Sequence, residues 1–224
     1  MTFLKFVLKI GGSLLNYREG LNELCNVLGK LAAKYKMLIV PGGGDFADLV
    51  RSIDKIFGLS PLASHRMAIL AMDQYGILLA DITPNSTIIH TLNDVEKVWE
   101  TGKLPILLPS RLLFTSDELP SSWDVTSDTI SAYIAKLLRI EKLILVKDVD
   151  GIFTRDPKKY SEAILLEEVT PEELIDMRTC VDAFLPKFLL LRKGMFCYVV
   201  NGLYPERVKQ ILEGKKTIAT IIKA

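Results

Sequence analysis

Residues 37–46 read Met37-Leu38-Ile39-Val40-Pro41-Gly42-Gly43-Gly44-Asp45-Phe46: an apolar run, a glycine loop and the start of a helical pattern. A short apolar run bounded by turn residues is a buried strand, and glycines after it let the chain turn sharply and present amide groups. Residues 3–13 follow the same plan, with a strand over 3–10 that ends in Gly11-Gly12-Ser13. Between them the spacing of Leu21, Leu24, Val27, Leu28 and Leu31 predicts an amphipathic helix over 21–35, and 47–53 reads as helix again. Strand, loop and helix, twice over, are two βα units. They imply a parallel sheet with right-handed crossovers.

Working outward, a long helical pattern covers 61–80, strands 86–90 and 104–108, and a short helix 95–100. Residues 109–120 read as an irregular loop over the site. A helix over 127–138 follows, with Thr126 or Ser127 as its N-cap. Residues 142–146 are a buried strand with a polar tip at 147–151, and 152–160 form a polar loop. Thr170 is an N-cap with Pro171 at the first helical position and Glu172 and Glu173 behind it. An apolar helix begins around 181–187, and the chain closes with a strand over 196–200, a helix over 205–212 and a strand over 217–222. No linker, repeat or low-complexity tract interrupts the 224 residues.

The 28 basic and 27 acidic residues nearly cancel, which argues against a nucleic-acid partner. Cys25, Cys180 and Cys197 are scattered, without the paired spacing of a zinc site or disulfide framework. No apolar run approaches the ~20 residues of a membrane span, and residues 1–10 lack a signal-peptide layout. These features point to a cytoplasmic protein with no membrane partner.

Four features carry chemistry. Lys9 ends a buried strand, where an ammonium needs an anionic partner unless it snorkels to water. Gly42, Gly43 and Gly44 open a helix, a donor cradle suited to phosphate or a tight packing turn. GxGxxG and the phosphate-loop spacing are absent. Asp124 and Asp128 stand at a loop-to-helix junction. Lys187 lies in a first helical turn, where the helix dipole disfavours a cation. His65 and Arg66 either face an acceptor or simply start a helix, and Trp123 either stacks on a flat ring or packs in the core.

Lys9-Ile10-Gly11-Gly12-Ser13, Pro41-Gly42-Gly43-Gly44, Thr126-Ser127-Asp128-Thr129, Lys147-Asp148-Val149-Asp150-Gly151 with Arg155-Asp156-Pro157, and Pro186-Lys187 occur in the order of the amino acid kinase superfamily, which this chain resembles over nearly its whole length. The resemblance implies a three-layer αβα sandwich around a mostly parallel sheet, in one kinase-like domain over 1–224. An acceptor-binding part would cover about 1–115 and an ATP-binding part about 116–224. It implies ATP with Mg²⁺ and a small-molecule phosphate acceptor; the apolar helix over 61–80 is either a core helix or the subunit interface of a homo-oligomer. Lys9 and Lys187 would neutralise the transferred phosphoryl group, with Asp128 holding both. Gly11, Gly12, Lys147, Asp148, Asp150, Gly151, Arg155, Asp156 and Pro157 would bind nucleotide. Gly42, Gly43, Gly44, Asp124 and Thr126 would bind the acceptor. The chain departs from the family at Asp182-Ala183-Phe184, where many members carry glycines.

No catalytic base stands out. A phosphate acceptor needs none, because its second pKa is near ~6. Asp124 would suit an ammonium group on the acceptor, although capping its own loop is an equal alternative. The stretch Ser122-Trp123-Asp124-Val125-Thr126-Ser127-Asp128 resembles a small archaeal and methylotroph branch of the family. That resemblance implies transfer to [5-(aminomethyl)furan-3-yl]methyl phosphate, in methanofuran biosynthesis. Isopentenyl phosphate, a nucleoside monophosphate, an amino-acid carboxylate, or non-catalytic nucleotide binding in a storage assembly are the alternatives.

Overall fold

The computed structural model describes residues 5–116, 118–157 and 159–224, so the start of the strand expected over 3–10, and Lys158, lie outside the described residues. In chain order the strands are β1 (Lys5–Ile10), β2 (Lys36–Pro41), β3 (Ser86–Ile89), β4 (Leu104–Leu107), β5 (Lys142–Lys147), β6 (Ile152–Phe153), β7 (Leu165–Leu166), β8 (Glu168–Val169), β9 (Phe196–Asn201) and β10 (Thr220–Lys223). The α-helices are α1 (Arg18–Leu31), α2 (Gly44–Phe57), α3 (Pro61–Ile82), α4 (Val95–Glu100), α5 (Ser110–Leu113), α6 (Ser127–Leu137), α7 (Pro171–Leu174), α8 (Leu185–Leu190) and α9 (Pro205–Leu212).

Eight strands form one sheet in the order β3-β4-β2-β1-β5-β9-β10-β8. Every pairing in it is parallel except β9 with β10. This is the mostly parallel sheet expected, and helices cover both faces. Phe6, Leu8 and Ile10 of β1 pack with Leu21, Leu24 and Leu28 of α1 and Val208 of α9. The alternate residue Val7 packs on the opposite face, with Ile130 and Ile134 of α6 and Leu185 and Leu189 of α8. The period of two that makes each strand apolar on both sides also decides which face its end residue joins.

Local chemistry sets the helix ends. Gly58, at φ 59°, closes α2 by donating its N–H to the Asp54 carbonyl at 2.8 Å. Ser60 caps α3 and Pro61 begins it. Thr170 is the N-cap that the sequence predicts, and with Glu173 it forms a reciprocal capping box. α6 differs from expectation: Thr126 holds the N-cap position, but neither it nor Ser127 caps the helix with its side chain. The region 109–120 also differs. It contains α5, and Leu113, Phe114, Ser116, Leu119 and Pro120 border a separate cavity of 300 Å³ beside His65 and Arg66. They do not cover the larger cavity described next.

Candidate active site

β1 lies between β2 and β5, so the chain leaves it in opposite directions on its two sides. Such a reversal opens a crevice at the carboxyl ends of the strands. A cavity of about 410 Å³ lies there, lined by Lys9 of β1, Lys147 of β5, the glycine loops and the first turn of α6.

The two lysines reach it by strand periodicity. Lys9 is two residues beyond Val7, and Lys147 two beyond Leu145, on the face that α6 covers. β1 and β5 pair in register with Lys9 opposite Leu145, which brings both ammoniums to the sheet end together. Asp128, in the first turn of α6, meets both. Lys9 Nζ is 2.9 Å from Oδ1 and Lys147 Nζ is 2.8 Å from Oδ2. All three residues are buried. Burial alone would push the Asp128 carboxyl up, but the charges of Lys147 and Lys9 outweigh it and hold the group well below the usual carboxylate range. Burial pulls Lys9 below its ordinary value, whereas at Lys147 the attraction of Asp128 overcomes burial and raises it. Two ammoniums sharing one carboxylate form a centre whose charge and burial suit an anion.

This corrects the expected pairing. Asp128 organises Lys9 with Lys147, not with Lys187. Lys187 sits exposed on α8, with no ion pair among the described residues. The period-two pattern Leu143, Leu145, Lys147 already placed Lys147 on the Lys9 face, and that signal could have found it.

The glycines divide between scaffold and cradle. Gly11 N–H donates to the Val146 carbonyl at 2.7 Å and Gly42 N–H to the Ile10 carbonyl at 2.8 Å, so neither amide is available to a phosphate. Both expectations are therefore corrected: these amides extend the sheet. Tyr75, missed in the sequence, is fully buried and donates its hydroxyl to the Gly11 carbonyl at 3.2 Å. Gly12, Gly43 and Gly44 line the cavity. Gly12 and Gly44 touch so closely that a Cβ on Gly12 would lie 2.1 Å from the Gly44 nitrogen. Amides at the first residues of a helix have no intrahelical acceptor, and Gly12 and Gly44 stand at the starts of their helices on the cavity wall.

Of the remaining nucleotide candidates, Asp148 lines the cavity and accepts a bond from Ser13 Oγ at 2.7 Å. Asp150 lies beyond it, holding Asn201 at 2.9 Å and Arg207 at 2.6 Å. Gly151 packs against β10, where a Cβ would stand 2.5 Å from Thr220 Oγ1. Arg155, Asp156 and Pro157 are in an exposed loop away from the cavity, where Arg155 pairs with Glu162 at 3.4 Å. Among the described residues no cluster of three His, Cys, Asp or Glu could hold a metal by itself.

On the opposite wall stand Asp45, Asp48, Arg51, His65 and Trp123. Trp123 Nε1 donates to Asp54 Oδ2 at 2.8 Å, and the Arg51 guanidinium covers the ring at 4.8 Å from its centroid. Half-buried His65 has its pKa lowered by burial. Arg66 instead stacks on Phe114 at 5.4 Å. Thr126 lines the cavity as expected, but Asp124 is exposed and outside its lining. The Asp124 backbone does the local work, its carbonyl accepting from Phe184 N–H at 3.2 Å.

Comparison with known proteins agrees with this geometry. The sequence model of the amino acid kinase family matches residues 5–201. A Methanocaldococcus jannaschii protein named [5-(aminomethyl)furan-3-yl]methyl phosphate kinase is 41% identical over 216 residues, 96% of each chain. A Thermococcus gammatolerans uridylate kinase is 25% identical over 95% of this chain and 96% of its own. In fold, the chain is similar to the UMP kinase of Ureaplasma parvum, at a TM-score of 0.79 and 21% identity over 100% of both chains. The uridylate kinase of Archaeoglobus fulgidus superposes with a TM-score of 0.75 at 20% identity, covering 98% of this chain and 100% of that one. A parallel sheet with its site at the β1 reversal, two buried lysines on one carboxylate, and a family match from β1 through β9 together make this chain a member of the amino acid kinase family.

Proposed function

We propose that this ATP-dependent kinase transfers the γ-phosphoryl group of ATP to [5-(aminomethyl)furan-3-yl]methyl phosphate. A phosphate oxygen of the acceptor attacks the γ-phosphorus, the bond to the β–γ bridging oxygen breaks, and ADP leaves with that oxygen. The product is the diphosphate. The likeness to the M. jannaschii kinase over 96% of both chains carries this reading. The cavity wall is compatible with it: Trp123 and Asp45 line the cavity, and Asp45 offers a carboxylate that suits an ammonium group, whereas Asp48 is paired with Arg51. That role passes to Asp45 from Asp124.

Phosphoryl transfer needs positioning and charge stabilisation more than covalent help. Lys9 and Lys147 face the phosphoryl oxygens, and the Gly12, Gly43 and Gly44 loops surround them. Lys187, exposed on α8, which packs against α6, is the further cation for the ATP phosphates. An ionised phosphate acceptor needs no base, so His65 shapes the wall without moving a proton. Mg²⁺ takes few carboxylates and several phosphate oxygens and waters, which fits a site with Asp148 but no metal cluster. When bound it neutralises β- and γ-phosphate charge.

A cytoplasmic location and a homo-oligomer belong to the same proposal. Cys25, Cys180 and Cys197 are unpaired thiols, and no described helix is long and apolar enough to cross a membrane. Leu49, Ile56, Phe57, Leu70 and Ile77 leave an apolar strip exposed on α2 and α3.

The test is turnover of ATP with an acceptor panel, read by ³¹P NMR of the product. The aminomethylfuran phosphate is expected to exceed UMP, isopentenyl phosphate, N-acetylglutamate and aspartate in kcat/KM by roughly 10²-fold or more. Higher efficiency with UMP or isopentenyl phosphate refutes the acceptor, and ATP binding without transfer to any of them refutes catalysis.

A further inference from the structure

We propose that Asp182 is a positioning residue for phosphoryl transfer, clasping the starts of α6 and α8 together so that Asp128 keeps both lysines in register. The inference rests on the kinase reading but not on the identity of the acceptor.

The carboxylate of Asp182 is saturated. Oδ2 accepts from Thr126 N–H at 3.0 Å, Thr126 Oγ1 at 2.9 Å and Thr129 N–H at 2.9 Å. Oδ1 accepts from Thr129 Oγ1 at 2.6 Å and Leu185 N–H at 2.8 Å. The Asp182 N–H in turn donates to Asp128 Oδ2 at 3.2 Å, the oxygen that pairs with Lys147. One residue, 56 positions after Thr126, thus supplies the cap that α6 lacks and the cap for α8.

Neither helix holds itself there. α6 has no side-chain cap of its own, and α8 has six residues with Phe184 at its N-cap, too short to be stable by propensity. Both oxygens of Asp182 are occupied by donors from the two helix starts, while burial and the neighbouring Asp128 charge push its carboxyl up. The negative charge of Asp182 also reaches Lys9 and Lys147, adding to the pull of Asp128 on both ammoniums. The clasp therefore sets where Asp128 sits, and with it the spacing of Lys9 and Lys147 at the phosphoryl group. Reaction rates are sensitive to such placement, about 10²-fold for a 1 Å error.

The experiment compares Asp182→Ala and Asp182→Asn with the wild type, by steady-state kinetics and by amide hydrogen exchange of the ligand-free protein. Asparagine keeps one oxygen for the α6 donors, but its amide nitrogen cannot accept from Leu185 N–H. The alanine variant is expected to lose about 10²-fold in kcat, with both KM values within about threefold, and asparagine about tenfold. Thr129 and Leu185 amides should both exchange faster in the alanine variant, and only Leu185 in the asparagine one. A kcat within about twofold of wild type, a loss confined to KM, or unchanged exchange at both amides overturns the proposal. If the alanine variant does not fold, the asparagine variant carries both readouts. The kinetics use whichever acceptor the wild type phosphorylates, so a wrong acceptor and a wrong role for Asp182 give different results.

Discussion

Asp128→Asn removes one charge from a centre holding three. The residue is 2% exposed, and its two oxygens face the Lys9 and Lys147 ammoniums at 2.9 and 2.8 Å. Asparagine has nearly the same shape, so the loss is electrostatic: two buried cations remain, and one meets an amide donor in place of an acceptor. Breaking a buried pair this way costs about 3–5 kcal/mol. For a chain of this size, about 2–4 °C of melting temperature per kcal/mol gives a fall of roughly 6–20 °C. The pH dependence sharpens the test. In the wild type the folded pKa of Asp128 is depressed, so its contribution is complete above the unfolded value near ~3.9 and is lost as pH falls through the folded one. In the variant the orphaned lysines have folded pKa values below their unfolded ~10.4, so the unfolded state binds more protons. Stability then rises with pH between the lowered folded values and the unfolded ~10.4, by at most about 1.4 kcal/mol per pH unit for each lysine. Urea unfolding followed by circular dichroism between about pH 6 and pH 10.5 measures both effects. A variant within about 1 kcal/mol of wild type at neutral pH, or one whose stability is flat with pH, refutes the coupled-charge account.

Lys9→Ala and Lys147→Ala should each lower kcat by about 10²–10³-fold, as loss of a group facing developing charge does; near-normal turnover in a rapid-quench assay removes that lysine from the mechanism. Lys187→Ala is expected to lower kcat while changing stability by less than about 0.5 kcal/mol, because the side chain is exposed and has no ion pair among the described residues. A large drop in melting temperature contradicts this. Gly12→Ala puts a Cβ 2.1 Å from the Gly44 nitrogen, so the two loops must separate, and destabilisation of about 1–3 kcal/mol with loss of activity should follow; unchanged unfolding counts against that contact. Trp123→Phe deletes the bond to Asp54 while keeping a ring, and a rise of about 2–10-fold in the acceptor KM at constant kcat is expected; an effect on the KM for ATP instead would move Trp123 off the acceptor wall.

The parallel sheet was legible because the relevant signals are local. An apolar strand followed by glycines and an amphipathic helix can be read within about fifteen residues, and its repetition leaves few topologies open. The N-cap at Thr170 and the helix beginning at Pro205 were legible for the same reason. Lys9 and Asp128 stood out because a buried charge needs a partner, wherever that partner lies.

Which partner it finds is a long-range matter. Lys147 rather than Lys187 meets Asp128 because β1 and β5 pair with Lys9 opposite Leu145 and α6 crosses that face, a register set by the packing of the whole sheet. Likewise, Thr126 looked like a cap from its neighbours, yet the cap is Asp182, whose carboxylate arrives only when α8 docks. Gly11 and Gly42 looked like phosphate donors until the sheet claimed their amides. Periodicity and turn chemistry act over a few bonds and can be read from the chain. The assignment of each buried charge and amide to its partner is a competition among groups far apart in sequence, and folding resolves it.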